Sequence, residues 1–366
     1  MSEKIKKIFI DKIFENLNNN EIDHGIVIAS PSKNDPDYFY HWIRDSALVM
    51  KNIAKYYQQT SDPKAFKQII EYIDIEIHHQ SLNTLTGLGE PKFNVNKNNS
   101  CFNESWGRPQ NDGPALRSLT MIYIYNIFQN HQSIRKNVKC IIENDVNYLI
   151  NNINQESFDL WEEIKGFHLF TTCVQYKFLK EYNGLFKHNN DNLHDAMIKL
   201  RERLDIHNIT KNSFSMYENL NREYDTSLFL CLNAIDYDLD IINVFSDKFK
   251  NYALEIVNYF KNAYQLNKGN KFVFLGRYKN DKYYDGNPWI ITTTAFIQLL
   301  IYYSNHDVEL LENQGKMIID YMNYILKIDN LDISEQIHQE YGYNVSAKKL
   351  TWNYSELFTM FNMLLK

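Results

Sequence analysis

Apolar residues recur at three- and four-residue steps in one segment after another and nowhere alternate long enough to found a sheet, so this chain must pack helix on helix. Ile5, Ile8, Phe9, Ile13 and Leu17 set the pattern. It returns over about 45–58 and 63–79, where Asp62-Pro63 puts a capping side chain beside a proline at the first helical position. Further helices are expected near 112–128, 133–148, 166–181, 191–204, 224–234, 240–262, 289–304, 308–326 and 352–364, which makes about twelve. Lys271–Leu275 reads as a short strand within a loop. Two concentric rings of six helices would bury one face of each. A superhelical array would also do so, but no fixed-period repeat is present. No linker or low-complexity block divides the chain, so residues 1–366 are expected to form one domain.

A formal net charge of -6 gives no electrostatic support for a nucleic-acid partner. No apolar run approaches the roughly 18 residues of a membrane span, so no membrane partner is expected. The N-terminus is broken by charges and lacks a cleavage site, which points to a cytoplasmic protein, with export of a processed form left open. The acceptor tripeptides Asn98-Asn99-Ser100 and Asn208-Ile209-Thr210 carry no weight in so Asn-rich a chain. Four scattered cysteines form no disulfide framework, and Cys140 and Cys173 read as buried thiols in helices. No HExxH, zinc-spaced His/Cys set, EF-hand loop, nucleotide loop or GxSxG elbow occurs, so neither metal nor cofactor is expected. Gly107, Gly113 and Gly286 then read as turn residues.

Polar chemistry gathers in the segments between helices, beside aromatic residues that make up 14% of the chain and suit the apolar faces of sugars. Tyr38, His41, Trp42, Arg44 and Asp45 form the first cluster. Asp45 reads either as a first-turn acid or as one half of an Arg44–Asp45 grip on vicinal hydroxyls. Asp159, Trp161, Glu162 and Glu163 form the second. Three carboxylates so close usually make a solvated face, but an indole among them can desolvate one and keep it protonated as a general acid. The third holds Glu335, Ser346 and Trp352, where Glu335 by itself reads as a surface acid. Between them stand Trp106, Arg277, Asp281 and Trp289, and both tryptophans also read as core anchors.

In this order the clusters closely resemble the catalytic domain of glucoamylases, glycoside hydrolase family 15. The resemblance rests on PDYFYHWIRDSALV from Pro36, GLGEPKFNV from Gly87, SWGRPQNDGPALR from Ser105 and DLWEEIKG from Asp159. It continues with GRYKNDKYYDGNPW from Gly276, SEQ from Ser334 and LTWNYSEL from Leu350. It implies an all-α fold, an (α/α)6 barrel, with Glu162 as general acid and Glu335 as general base. Arg44 and Asp45 then hold the terminal glucose, Tyr38, Trp42 and Trp106 line its pocket, and Arg277 and Asp281 support binding. Asp159, Trp161 and Glu163 surround the acid, Trp289 and Trp352 join the substrate-binding set, and Ser346 bonds the base. The implied protein is a monomer. It is an inverting exo-glucosidase acting on an α-glucan or maltooligosaccharide and releasing β-glucose. Cleavage of α-1,6-glucans or trehalose, and a non-hydrolytic sugar-binding role, remain alternatives, while an α/α-barrel lyase has no ordered cluster behind it. No starch-binding domain is expected after the barrel. Asn111, His41 and Asn353 depart from the family's usual residues.

Overall fold

The computed structural model describes residues 2–187, 191–207, 216–217 and 222–364; Asn208-Ile209-Thr210 lies outside them. Among the described residues twelve α-helices follow one another. They are α1 (Ser2–Leu17), α2 (Ile43–Thr60), α3 (Pro63–Ser81), α4 (Asp112–Ile127), α5 (Gln132–Asn151) and α6 (Leu169–Phe186). The second half holds α7 (Asp191–His207), α8 (Ser227–Ala234), α9 (Asp247–Ala263), α10 (Ile290–Ser304), α11 (Gln314–Leu326) and α12 (Thr351–Met363). The even-numbered helices pack in sequence, α2 on α4, α4 on α6, α6 on α8, α8 on α10, α10 on α12 and α12 back on α2. That closes an inner ring of six.

The odd-numbered helices lie outside, with α1 on α12, α3 on α2, α5 on α4, α7 on α6 and α11 on α10. Sequence dictates the division. Almost every residue of α10, IITTTAFIQLLIYYS, is buried, as a helix enclosed on all sides requires. In α9 only a stripe including Phe249, Tyr252, Ile256 and Phe260 is buried, as suits a helix with one face in water. The expected (α/α)6 barrel is thus what the chain forms. Among the described residues no helix is long and apolar enough to cross a membrane.

Asp62 caps α3 as read, its side chain accepting from the backbone N–H of Lys64 and Ala65. Other boundaries move. The helix expected from 240 begins at Asp247, where the Ser246 hydroxyl accepts from the Phe249 N–H. The helix expected from 308 begins at Gln314, whose side chain bonds carbonyls of Leu300 and Val308 and ties the preceding turn instead. Residues 271–275 form no strand. The Asn267 side chain takes up the Phe274 N–H, and the Thr293 hydroxyl takes up the Leu275 N–H, so no ladder is needed. Cys173 is buried, but Cys140 is exposed on the outer face of α5.

Each inner helix except α8 is entered through a loop carrying one of the residue clusters, so the loops meet at the N-terminal end of the inner ring. Three antiparallel pairs of two residues brace them: β1 (His41–Trp42) with β2 (Lys92–Phe93), β3 (Ser157–Phe158) with β4 (Lys165–Gly166), and β5 (Gln336–Ile337) with β6 (Asn344–Val345).

Candidate active site

The converging loops enclose a cavity of about 600 Å³ whose lining includes Tyr38, Trp42, Arg44, Asp45, Trp106, Trp161, Glu162, Glu163, Arg277, Trp289, Glu335 and Trp352. Glu162 and Glu335, far apart in sequence, therefore open onto one space. Each is presented by a hairpin: Glu162 lies in the turn between β3 and β4, and Glu335 directly precedes β5. Glu162 has φ +64°, a left-handed conformation uncommon for a residue with a side chain. Asp159 enforces it by accepting the backbone N–H groups of Glu163 and Ile164 at 2.7 and 2.9 Å.

Glu162 is held by N–H donors. Its Oε1 accepts from Trp42 Nε1 at 2.7 Å and Arg44 at 3.0 Å, and its Oε2 from Trp106 Nε1 at 2.9 Å. Arg44 also donates to Gln110 and Asp112, and although burial opposes its charge, Asp112, Glu162 and Asp45 keep it firmly charged. Asp45, in the first turn of α2, lies 3.6 Å from the Arg44 Nε. Burial pushes its carboxyl up to about 7, with Arg44 opposing and Glu162 and Asp112 adding to the rise.

Across the cavity Glu335 is buried, and burial raises its carboxyl above the ordinary range. The Ser346 hydroxyl and the Gln336 amide donate to its Oε2 at 2.5 and 3.0 Å and partly counter that rise. Tyr38 and Tyr283 meet hydroxyl to hydroxyl at 3.0 Å close by. Trp161 and Trp289 cross edge to face at 5.7 Å, and Trp352 donates from Nε1 to Glu356 at the cavity floor.

Three of the expected residues lie behind the wall rather than in the lining. Asp159 receives Tyr217 at 2.7 Å and Arg222 at 3.3 Å while holding the Glu162 turn. Asp281 forks onto Arg277, which reaches Glu163 at 2.7 Å, and Ser346 reaches the cavity only through Glu335. Gly286 is a turn residue with φ +67°, but Gly107 and Gly113 are needed for close approach. A Cβ at Gly107 would stand 2.7 Å from the Phe158 ring, and one at Gly113 3.1 Å from Ile43. The cavity also takes in Lys92, Phe102 and Tyr283, which sequence reasoning did not single out. Lys92 and Tyr283 sat inside quoted segments, whereas Arg222 carried no signal.

The three unusual residues have structural partners. Asn111 accepts from Tyr148, and Asn353 donates to the Ser334 carbonyl beside Glu335. His41 joins Glu76 and His79, whose ligand-type atoms lie within 4.8 Å of one another. The Val27 N–H donates to His41 Nδ1 at 3.0 Å, so the ring proton sits on Nε2 and is given to Glu76 at 2.9 Å. Arg117 takes the other Glu76 oxygen at 3.0 Å, and burial lowers His79 to about 4. With both His41 nitrogens committed and a guanidinium adjacent, the cluster fits a hydrogen-bonded strut better than a metal cradle.

The sequence profile of Glycosyl hydrolases family 15 matches residues 11–362. The intracellular sporulation-specific glucoamylase of Saccharomyces cerevisiae is 27% identical in an alignment covering 98% of this chain and 82% of that protein. Glucoamylase S2 of Saccharomyces cerevisiae is 31% identical over 80% of this chain, which spans 44% of that protein. Among solved structures, the Hormoconis resinae glucoamylase superposes with a TM-score of 0.86 at 26% identity, covering 99% of this chain and 73% of that one. The family 15 glucoamylase of Hypocrea jecorina gives 0.84 at 26% identity, covering 100% and 72%.

Proposed function

The chain belongs to glycosyl hydrolases family 15, and from that premise we propose that it is an exo-acting, inverting glucan 1,4-α-glucosidase. It removes β-D-glucose from the non-reducing ends of maltooligosaccharides, starch or glycogen. The observation that carries the reading is that Glu162 and Glu335 line one enclosed, aromatic cavity with different oxygens left open. Two donors saturate Oε1 of Glu162, and Oε2 has one, so Oε2 keeps a lone pair for the proton that the leaving oxygen takes. Ser346 and Gln336 fill Oε2 of Glu335 and Tyr38 also bonds its carboxyl, so Oε1 is the less occupied oxygen and the one to accept a proton from the attacking water.

Arg44 and Asp45 hold the terminal hydroxyls, and the rings of Tyr38, Trp42 and Trp106 exclude water from the breaking bond. Arg277, set by Asp281, places Glu163 at the position of the next sugar. Inversion requires room for a water between the carboxyls, roughly 6.5–9.5 Å. Exo action requires that this cavity receive a chain end and not a chain middle. The whole of 1–366 works as one catalytic unit, consistent with its contiguous core. A cytoplasmic setting is supported by the yeast relative named as intracellular.

Proton NMR of freshly released glucose from maltotriose tests the reading. The β-anomer is expected first. Initial α-anomer, or hydrolysis of trehalose with maltotriose untouched, would replace it.

A further inference from the structure

Lys92 is a buried lysine with 1% of its surface exposed and no oxygen acceptor for its ammonium among the described residues. A lysine this enclosed is ordinarily paired with an acid. Here its partners are rings: Nζ lies 3.3 Å from the centroid of Trp106, 4.3 Å from Tyr40 and Phe102, and 4.5 Å from Trp42. The backbone puts it there, because β2 pairs Lys92 directly opposite Trp42. Two of those four rings are the ones whose indole N–H groups grip Glu162, one on each oxygen.

We propose that Lys92 is a positioning residue for the catalytic acid: its caged ammonium fixes the two indoles at the angle that aims both N–H groups at Glu162, and its charge favours the carboxylate left when the proton is given up. This rests on Glu162 being the acid of the proposed hydrolase. The attraction between an ammonium and ring faces supplies the tether, and it is strongest where water is excluded. Burial is the main force on the lysine and lowers it to about 8, with Glu162, Asp37 and Glu104 opposing and Arg108 assisting. On the acid's side the other facing groups are Arg44, with Asp45 beside it on α2, and Tyr38 on the entry loop. The cations among these groups are Lys92, Arg44 and Arg108, and Arg44 stays charged throughout the working range.

The test compares Lys92→Met, which keeps the stem and removes the charge, with Lys92→Arg, which keeps the charge. On maltotriose Lys92→Met should lose about tenfold in kcat with KM within about twofold. The alkaline limb of kcat/KM should rise by about 1 pH unit, because an acid relieved of a nearby cation holds its proton longer. Lys92→Arg should restore the limb. A Lys92→Met limb that coincides with the parent's, or an Arg variant that matches the Met variant, overturns the proposal. Independently of variants and of turnover, the indole N–H resonances of Trp42 and Trp106 in the unaltered protein should both follow one titration near pH 8. Their failure to move together also overturns it. A parent protein that titrates so but leaves maltotriose intact would instead remove the hydrolase reading.

Discussion

The two walls of the cavity treat a glutamate in opposite ways. Glu162 sits on a left-handed residue in a tight turn, its oxygens gripped by two indoles and a guanidinium. Glu335 sits at the base of a hairpin, more deeply buried, served by the hydroxyls of Ser346 and Tyr38 and the Gln336 amide. The first wall is built around cations and N–H donors, which suits a group that ends its step as an anion. The second is more buried, with Arg277 only partly offsetting the effect of burial, which strengthens a carboxylate as a proton acceptor. One pair of identical side chains thereby acquires two assignments from environment alone.

Five substitutions probe that contrast. Glu162→Gln should lower kcat on maltotriose about 10³-fold, and α-D-glucosyl fluoride, whose leaving group needs no proton, should recover most of the loss. Glu335→Gln should fall comparably with no recovery, and recovery by both variants or by neither would erase the distinction between the walls. Asp45→Asn comes next, with kcat/KM down about 10²-fold through a lost grip on hydroxyls.

That variant should also be more stable. Native Asp45 keeps its proton up to about 7, while the unfolded carboxyl releases it near 3.8, so its stability contribution falls as pH rises across that window. The gain in Tm should therefore be several degrees at pH 8 and vanish at pH 4. Ser346→Ala removes a donor from Glu335, whose carboxyl then rises further. The acid limb of kcat/KM should move up by about 0.5–1 pH unit, with kcat down about tenfold at its foot. The smallest effect is expected behind the first wall. Arg222→Met, which leaves Asp159 and Glu163 without a shared cation, should raise KM about threefold.

Much of the barrel could be read in advance because helix formation leaves a local trace. Ile5 to Leu17, or Asp62 before Pro63, announces an element through spacing and caps alone. Starts were missed where a side chain at the helix mouth decides them, as Ser246 and Gln314 do. Depth was less legible. Asp159 and Asp281 stood in the right clusters, yet both turn away from the cavity to hold Glu162's turn and Arg277. Cys140 shows the same limit, since a helical pattern does not say which ring a helix joins or which face meets water.

The linear order of residues by itself determined twelve helical segments, the loops that carry polar and aromatic groups and, through the family resemblance of those loops, which two glutamates to suspect. Tertiary structure alone decided that Glu162 and Glu335 share a space, that Lys92 lies under the indoles beside the first, and that Arg222 supports it from behind. Periodicity and capping act within a turn or two of the chain, and so survive in sequence. The meeting of loops from five different places depends on the inner ring closing, and no short stretch of residues contains that information.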